Sequence, residues 1–134
     1  MNSLATVVDE VIDFHEQLCR DWEHAATGLI EPDMMLYVPD AFPWQPLKTR
    51  GIEALREFRD ALHVISDGTF QAVPQGSTAD ERLVAIRCHE AATRRNCSLE
   101  WSSLWVYVLT DGRISETRVV HAVPSDLFEN LWCT

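Results

Sequence analysis

The sequence predicts an α+β fold in which a curved antiparallel sheet wraps around N-terminal helices and encloses a pocket. Amphipathic helical spacing dominates the first half of the 134-residue chain, and long β-rich runs separated by turn residues dominate the second half. Such long strands favour strong curvature, because strands twist, and a curved sheet leaves a hollow on its concave side. We expect residues 1–134 to form a single domain.

Helical spacing recurs in three segments. The first helix is predicted over residues 2–20, with acidic side chains opposite its apolar positions. A second, shorter helix is predicted over residues 22–30, capped by Asp21. The third follows Gly51 and covers residues 52–65, and the sequence SDG ends it.

Five strands with turn sequences between them complete the predicted elements. A short apolar strand over residues 34–38 leads into a loop with three prolines. The turn sequences PQGS, RRNC and TDG then separate four further strands. These strands are predicted at Thr69 to Val73, Leu83 to Thr93, Leu99 to Leu109 and Arg113 to Val123. A final helical turn is predicted after Ser125 and Asp126.

Charge and composition exclude several classes of partner. The 21 acidic and 11 basic residues give a formal net charge of -10, which opposes phosphate backbones and anionic membranes. We therefore expect no nucleic acid and no membrane as partners. The N-terminal segment MNSLATVVDEVIDF lacks the basic region of a signal peptide, and four cysteines without a CxxC pair are typical of reduced thiols, so we expect a cytoplasmic protein.

Spacing of the metal-binding residue types predicts no metal site and no cofactor. The five histidines show neither HxH nor HExxH spacing, and no glycine-rich phosphate-binding motif is present. Cys88 is interpreted as a core residue, because it alternates with the apolar residues of its strand.

The order of these elements resembles the nuclear transport factor 2-like superfamily, in particular its small SnoaL-like, ketosteroid-isomerase-like and scytalone-dehydratase-like bacterial members. The resemblance is carried by the long first helix, the acidic segment EPD, the strand before a proline-rich loop, the segment RGIEALREFRDAL and the closing DGRI hairpin. It covers nearly the whole chain. It implies a cone-shaped α+β fold with an internal pocket, and its members are commonly homodimers.

The hairpin WSSLWVYVLTDGRISETRVVH, residues 101–121, carries aromatic and polar side chains at alternate positions, where a sealed core would carry aliphatic ones. A two-residue turn would pair Thr110 with Arg113, whereas a bulged turn would pair Leu109 with Arg113. The resemblance implies the bulged form, which we favour. The pocket wall is then Trp101, Ser103, Trp105, Tyr107, Thr117, Val119 and His121.

The two sides of that hairpin have different expected uses. Large aromatic side chains with polar tips suit a flat, unsaturated small molecule, although the tryptophans could equally fill a core. The opposite side is mixed apolar and ionic and suits a dimer contact. Its residues are Glu100, Ser102, Leu104, Val106, Val108, Glu116, Arg118 and Val120.

Three residues are candidates for proton transfer. A neutral imidazole in an aromatic pocket is a general base, so His121 is the first candidate, and a core histidine bonded to a carbonyl is the alternative. The resemblance places a general-base aspartate near Asp40, which could instead cap a turn. His89 alternates with Arg87 along one strand, and these two residues lie either in the pocket or on the convex face.

The resemblance also supplies candidates for ligand binding. Ketosteroid-isomerase-like members use a first-helix tyrosine and a protonated acid as oxyanion donors, and the matching positions here carry Phe14 or His15, and approximately Trp105. This difference argues against steroid isomerisation and leaves His15 as a substitute donor. Tyr37 and Trp44 complete the candidate ligand-binding set.

Together these residues predict a cofactor-free acid–base enzyme of the isomerase, cyclase or dehydratase type. Its substrate would be a small, largely apolar organic molecule such as a polyketide-like metabolite. His121, with Asp40, would take a proton, and His89, Tyr107 or an indole N–H would donate to the developing oxyanion. The alternative is a non-catalytic ligand-binding or dimerisation domain of the same fold.

Overall fold

The computed structural model describes residues 4–21, 28–38 and 50–122. These ranges contain two helices and a five-stranded sheet. The helices are α1 (Leu4–Arg20) and α2 (Gly51–Ile65). The strands are β1 (Ile30–Tyr37), β2 (Gln71–Ala79), β3 (Leu83–Arg94), β4 (Cys97–Thr110) and β5 (Arg113–Ala122). Neither helix is long and apolar enough to cross a membrane.

The sheet is mixed, with the strand order β1-β5-β4-β3-β2. Strands β2 to β5 are antiparallel neighbours, as predicted, but β1 runs parallel to β5, with Leu36 opposite Thr117. Strand β1 is therefore an exception to the predicted antiparallel arrangement. No hairpin joins β1 to β5, so their connection does not impose an antiparallel direction.

Both helices pack against the inner face of the sheet. The ring of Phe14 on α1 lies 6.1 Å from that of Tyr107, at an interplanar angle of 81°. The ring of Phe58 on α2 lies 6.0 Å from that of Trp105. The core therefore lies between the two helices and the central strand β4, where the predicted pocket wall also lies.

A glycine fixes the start of α2. Gly51 has a φ of +72°, and a Cβ at this position would lie 3.1 Å from the carbonyl oxygen of Pro32. The left-handed backbone and the close contact both favour glycine here. At the other end, the buried Ser66 hydroxyl donates to the Leu62 carbonyl at 2.7 Å and accepts from the Phe70 amide at 3.0 Å.

Two predicted boundaries are wrong. Residues 22–27 of the predicted second helix lie outside the described residues, but Gly28 and Leu29 form a turn and Ile30 begins β1. The sequence PQGS lies inside β2, where a bulge between Pro74 and Gly76 replaces the predicted turn. Because β2 is an edge strand, a proline and a bulge cost it little. The predicted final helical turn lies outside the described residues.

The β4–β5 turn differs from the bulged form we favoured. Asp111 and Gly112 have φ values of +52° and +76°, as in a two-residue type I′ turn. Thr110 consequently pairs with Arg113, and the predicted pairing of Leu109 with Arg113 is wrong. A shift in register beyond Leu109 then leaves Ser115 as an extra residue, because Leu109 pairs with Ile114 and Val108 with Glu116.

Candidate functional site

The side chains of the candidate site lie on the inner face of β3, β4 and β5. Alternation along β4 buries Trp101, Ser103, Trp105 and Tyr107, and alternation along β5 buries Thr117 and Val119. The side chain of His121 is only 2% exposed. The bulge at Ser115 shifts β5 by one residue, so the inward side chains of both strands lie on one face despite the two-residue turn.

A buried carboxylate–imidazole pair lies on this face. The Glu90 side chain on β3 is fully buried, and its Oε2 lies 3.3 Å from Nε2 of His121. The same oxygen accepts a hydrogen bond of 3.0 Å from the Trp101 indole nitrogen. Strand register explains the meeting, because Glu90 lies opposite Trp101 and His121 lies opposite Ser103 on the shared neighbour β4.

The surroundings of Glu90 keep its carboxyl ionised. Burial, the largest single influence, acts to raise the pKa of Glu90, but interactions with His121, Ser103 and Arg59 together outweigh it. The net pKa lies below the ordinary value. Glu90 can therefore orient an imidazole and stabilise its positive charge.

Arg59 on α2 brings a buried cation to the same interior. Its side chain is only 1% exposed, and its guanidinium lies 4.7 Å from the centre of the Phe70 ring. Nη2 donates to the backbone carbonyl of Cys19 at 3.4 Å, while Nε and Nη1 have no hydrogen-bond partner among the described residues. The indole nitrogen of Trp105 is buried in the same way, without a partner in the described ranges.

Buried donors of this kind normally have a hydrogen-bond partner. A guanidinium with two such nitrogens is suited to an oxygen anion, and an indole N–H adds a third donor. The interior is thus equipped to bind an oxygen-bearing ligand.

A second buried cluster joins α1 to β3 and β4. Nδ1 of His15 lies 2.6 Å from the hydroxyl of Tyr107, and Nε2 lies 3.0 Å from Sγ of Cys88 and 3.5 Å from Sγ of Cys19. His15, Cys88 and Tyr107 are fully buried, and Cys19 is partly buried. We call His15, Cys19 and Cys88 the thiol–imidazole cluster.

The two thiols of this cluster shift each other's pKa. The hydrogen bond from the Cys88 thiol lowers the pKa of Cys19 to about 5, against the opposing effect of burial and with help from His15 and Arg59. The same hydrogen bond and burial raise the pKa of Cys88. Burial raises the pKa of Tyr107 well above its usual value, so its phenol stays neutral.

Two predicted site residues lie on the outer face instead. His89 is 40% exposed at its side chain and pairs with Glu100 at 3.2 Å, so its predicted place in the pocket is wrong. Val84, Ile86, Cys88 and Glu90 hold the inward positions of β3, and alternation turns His89 outward with Arg87. Tyr37 is also exposed, with the Arg118 guanidinium 4.2 Å from its ring centre, and does not line the interior.

The remaining predicted site residues lie in different parts of the protein. Asp40 and Trp44 lie outside the described residues. His15 lies in the interior, bonded to Tyr107. The Thr117 hydroxyl donates to the Met34 sulfur at 3.0 Å, which makes it a poor contact for a ligand.

Sequence reasoning missed Glu90, Arg59 and Cys19. Glu90 follows Cys88 by two residues, so strand alternation places both side chains on the same face of β3. Because Cys88 is interpreted as a core residue, this alternation could have indicated that Glu90 is buried. Arg59 lies between the apolar positions Phe58 and Leu62 on the buried side of α2. Cys19 follows His15 by four residues on a helix, a spacing that places both on one face.

Solved structures share this architecture at low sequence identity. An NTF2-like protein from Burkholderia pseudomallei has a TM-score of 0.76 and 15% identity, over 96% of this chain and 98% of that chain. TerC, crystallised with polyporic acid, has a TM-score of 0.74 and 14% identity, over 96% and 98%. Wild-type IdmH, a candidate polyketide cyclase from Streptomyces antibioticus, has a TM-score of 0.63 and 21% identity, over 87% and 91%.

These likenesses show the fold. The sequence matches no family model and no curated protein. The chain has the nuclear transport factor 2-like fold, an α+β architecture with a cone-like sheet, which confirms the predicted fold class. Its structural neighbours include candidate polyketide cyclases.

Proposed function

We propose that the protein is an acid–base enzyme acting on a small, largely apolar organic molecule that carries a carbonyl or enol oxygen. The observation that carries this proposal is the buried Glu90–His121 pair on the inner face of the sheet. Reactions of the isomerase, cyclase or dehydratase type all begin with such a proton transfer.

In this mechanism, His121 is the general base. The Glu90 carboxylate lies 3.3 Å from Nε2 and orients the imidazole, so Nδ1 is the atom that accepts the substrate proton. The Trp101 indole fixes the same carboxylate oxygen, which keeps the pair in one geometry. Glu90 is a positioning residue, because it acts on the substrate through His121.

Arg59 and Trp105 are suited to the oxygen of the substrate. Removing a proton next to a carbonyl places negative charge on the oxygen, and preorganised donors stabilise that charge strongly in a water-poor site. The nitrogens of Arg59 and Trp105 that lack a hydrogen-bond partner among the described residues supply such donors. Aromatic side chains around them suit a flat, unsaturated skeleton.

A polyketide-like metabolite is the substrate class we propose. The fold is shared with IdmH, a candidate polyketide cyclase, and with TerC, which has been crystallised with polyporic acid. Such molecules combine enolisable carbonyl groups with apolar rings. The described interior offers partners for both features, a basic group with oxygen-binding donors and a wall of aromatic side chains.

Hydrogen–deuterium exchange tests the proton transfer without knowledge of the natural substrate. The probe is 2-tetralone, a benzo-fused cyclic ketone with exchangeable α-hydrogens, and the exchange is followed by NMR in D₂O. We expect the protein to accelerate exchange and His121→Asn to lose the acceleration. The matched control is His89→Asn, which removes an exposed histidine from the outer face. Equal acceleration by wild type and His121→Asn would overturn the proposal.

The same experiment separates catalysis from binding alone. If the protein only binds ligands, 2-tetralone should quench the fluorescence of its buried tryptophans, but α-hydrogen exchange should not be accelerated. This result would support the alternative of a non-catalytic binding domain.

The protein is also proposed to form a homodimer through the outer face of its sheet. Leu104 on β4 and Val120 on β5 are directly opposite each other and are 39% and 53% exposed. Glu116 and Arg118, 3.2 Å apart, give this face an ionic part. An apolar pair beside ionic groups suits a contact between two copies of the chain.

A further inference from the structure

The thiol–imidazole cluster brings three soft donor atoms to one point. Nε2 of His15, Sγ of Cys19 and Sγ of Cys88 all lie within 4.8 Å of one another. Two of the residues are separated by one helical turn of α1, and the third lies on β3, 73 residues from His15. Local spacing in the sequence does not reveal such a set, because Cys88 is 73 residues from His15.

We propose that these three residues form a zinc site. Zinc prefers thiolate and imidazole ligands, and His with two Cys is an established three-ligand set that leaves a fourth position for water or another oxygen donor. Tetrahedral geometry places nitrogen and sulfur ligands about 3.6 Å apart. The His15 nitrogen lies 3.0 Å and 3.5 Å from the two sulfurs, so the donors are already near this spacing.

Tyr107 prepares the histidine for this role. With the Nδ1 proton donated to the phenol oxygen at 2.6 Å, the lone pair of Nε2 faces the two sulfurs. A ligating histidine usually donates its other ring N–H to such an acceptor, which fixes the tautomer and the ring orientation. The neutral phenol is therefore placed as an outer partner of the site.

The charges of the proposed ligands also suit a divalent ion. Two thiolates would neutralise the divalent ion, whereas a metal-free pair of thiolates would be too costly to bury. Zinc would link α1 to β3 and stabilise the packing of the helix on the sheet. This role goes beyond the proposed proton transfer at Glu90 and His121, which does not involve these three ligands.

Metal analysis after equilibrium dialysis tests the proposal. The full chain, reduced with a phosphine, is dialysed against Zn²⁺ and then against metal-free buffer, and bound zinc is measured per chain. We expect about one zinc for the wild type and a loss of at least tenfold in affinity for Cys19→Ser. Cys97→Ser is the matched control, because Cys97 is exposed and lies at the start of β4.

Cobalt gives a second measurement on the same proteins. Tetrahedral Co²⁺ bound to two thiolates has intense visible bands and a near-ultraviolet sulfur-to-metal band, and Cys19→Ser should weaken both. Cys88 is fully buried, so its replacement endangers folding. The test therefore uses Cys19→Ser and His15→Asn, and circular dichroism checks that each variant is folded. Absence of bound metal in reduced wild type, or equal binding by wild type and a folded Cys19→Ser, would overturn the site.

Discussion

Glu90 on β3 and His121 on β5 meet across the intervening strand β4, with 3.3 Å between the carboxylate oxygen and the imidazole nitrogen. Neither strand pairs with the other, so the contact depends on both registers with β4. A shift of one residue in either register would turn one of the two side chains to the outer face. The contact therefore depends on the strand registers of the fold, and the proposed proton transfer depends on the contact.

Acid should destabilise the protein through Glu90. The pKa of Glu90 is lower in the folded chain than its ordinary value of 4.5, so protonation favours the unfolded state. Its stabilising contribution is fully present above pH 4.5 and is lost as the pH falls through the folded pKa. The free energy of unfolding, measured with urea between pH 7 and pH 3, should therefore fall more in wild type than in Glu90→Gln.

The matched control for this measurement is Glu100→Gln. Glu100 is also a strand glutamate paired with a histidine, but its side chain is 73% exposed and solvent screens the pair. Its variant should follow the wild-type pH profile. Parallel profiles for wild type and Glu90→Gln would contradict the lowered pKa.

The outward position of His89 shows how far alternation alone can carry a prediction. The pattern of Val84, Ile86 and Cys88 was sufficient to place His89 outside and Glu90 inside. His89 is nevertheless a candidate in the sequence analysis, with both faces left open, because the resemblance suggests a pocket histidine. A buried glutamate costs free energy unless it is paired. The partner that offsets this cost, His121, comes from a strand whose register could not be read from the sequence.

The thiol–imidazole cluster illustrates a second limit. The helical spacing of His15 and Cys19 is visible in the sequence, but Cys88 joins them only through the packing of α1 on β3. The elements themselves were predictable because their apolar periodicity and turn residues are local. Contacts between elements depend on packing that local patterns do not encode.

Gly51→Ala should destabilise the protein by about 1–2 kcal/mol, because an alanine must adopt a left-handed backbone there. Its Cβ would also lie 3.1 Å from the Pro32 carbonyl oxygen. Gly28→Ala is the control, since nothing lies within 4 Å of a Cβ at that position. Urea denaturation of the two variants gives the comparison, and an equal loss in both would refute the argument from the conformation of Gly51.

Leu104→Lys should shift the proposed homodimer to monomer. The variant would place a positive charge beside Val120 on this face of both copies, and Arg87, opposite position 104 on β3, would add repulsion. Val64→Lys is the control, because Val64 is 70% exposed on α2, away from the sheet face. Light scattering after size-exclusion chromatography measures the mass. A wild-type monomer, or dimerisation that survives Leu104→Lys, would exclude this interface.

Replacing Arg59 should separate ligand binding from folding. Arg59→Met keeps an unbranched side chain in the interior but removes the two guanidinium nitrogens that lack a partner among the described residues. Affinity for 2-naphthol, whose oxygen mimics an enolate, should fall at least tenfold, because a charge-assisted hydrogen bond contributes about 1.5–3 kcal/mol. Fluorescence titration of the buried tryptophans measures this affinity.

The stability of Arg59→Met should not fall together with its affinity for 2-naphthol. A buried guanidinium without hydrogen-bond partners is costly. Because two Arg59 nitrogens have none in the described part of the chain, Arg59→Met should unfold at a urea concentration equal to or higher than that of wild type. Arg56→Met, which removes a guanidinium 3.1 Å from Glu53 on the partly exposed side of α2, should leave affinity unchanged. A large loss of stability in Arg59→Met with unchanged affinity would mean that Arg59 supports the core and does not bind the ligand.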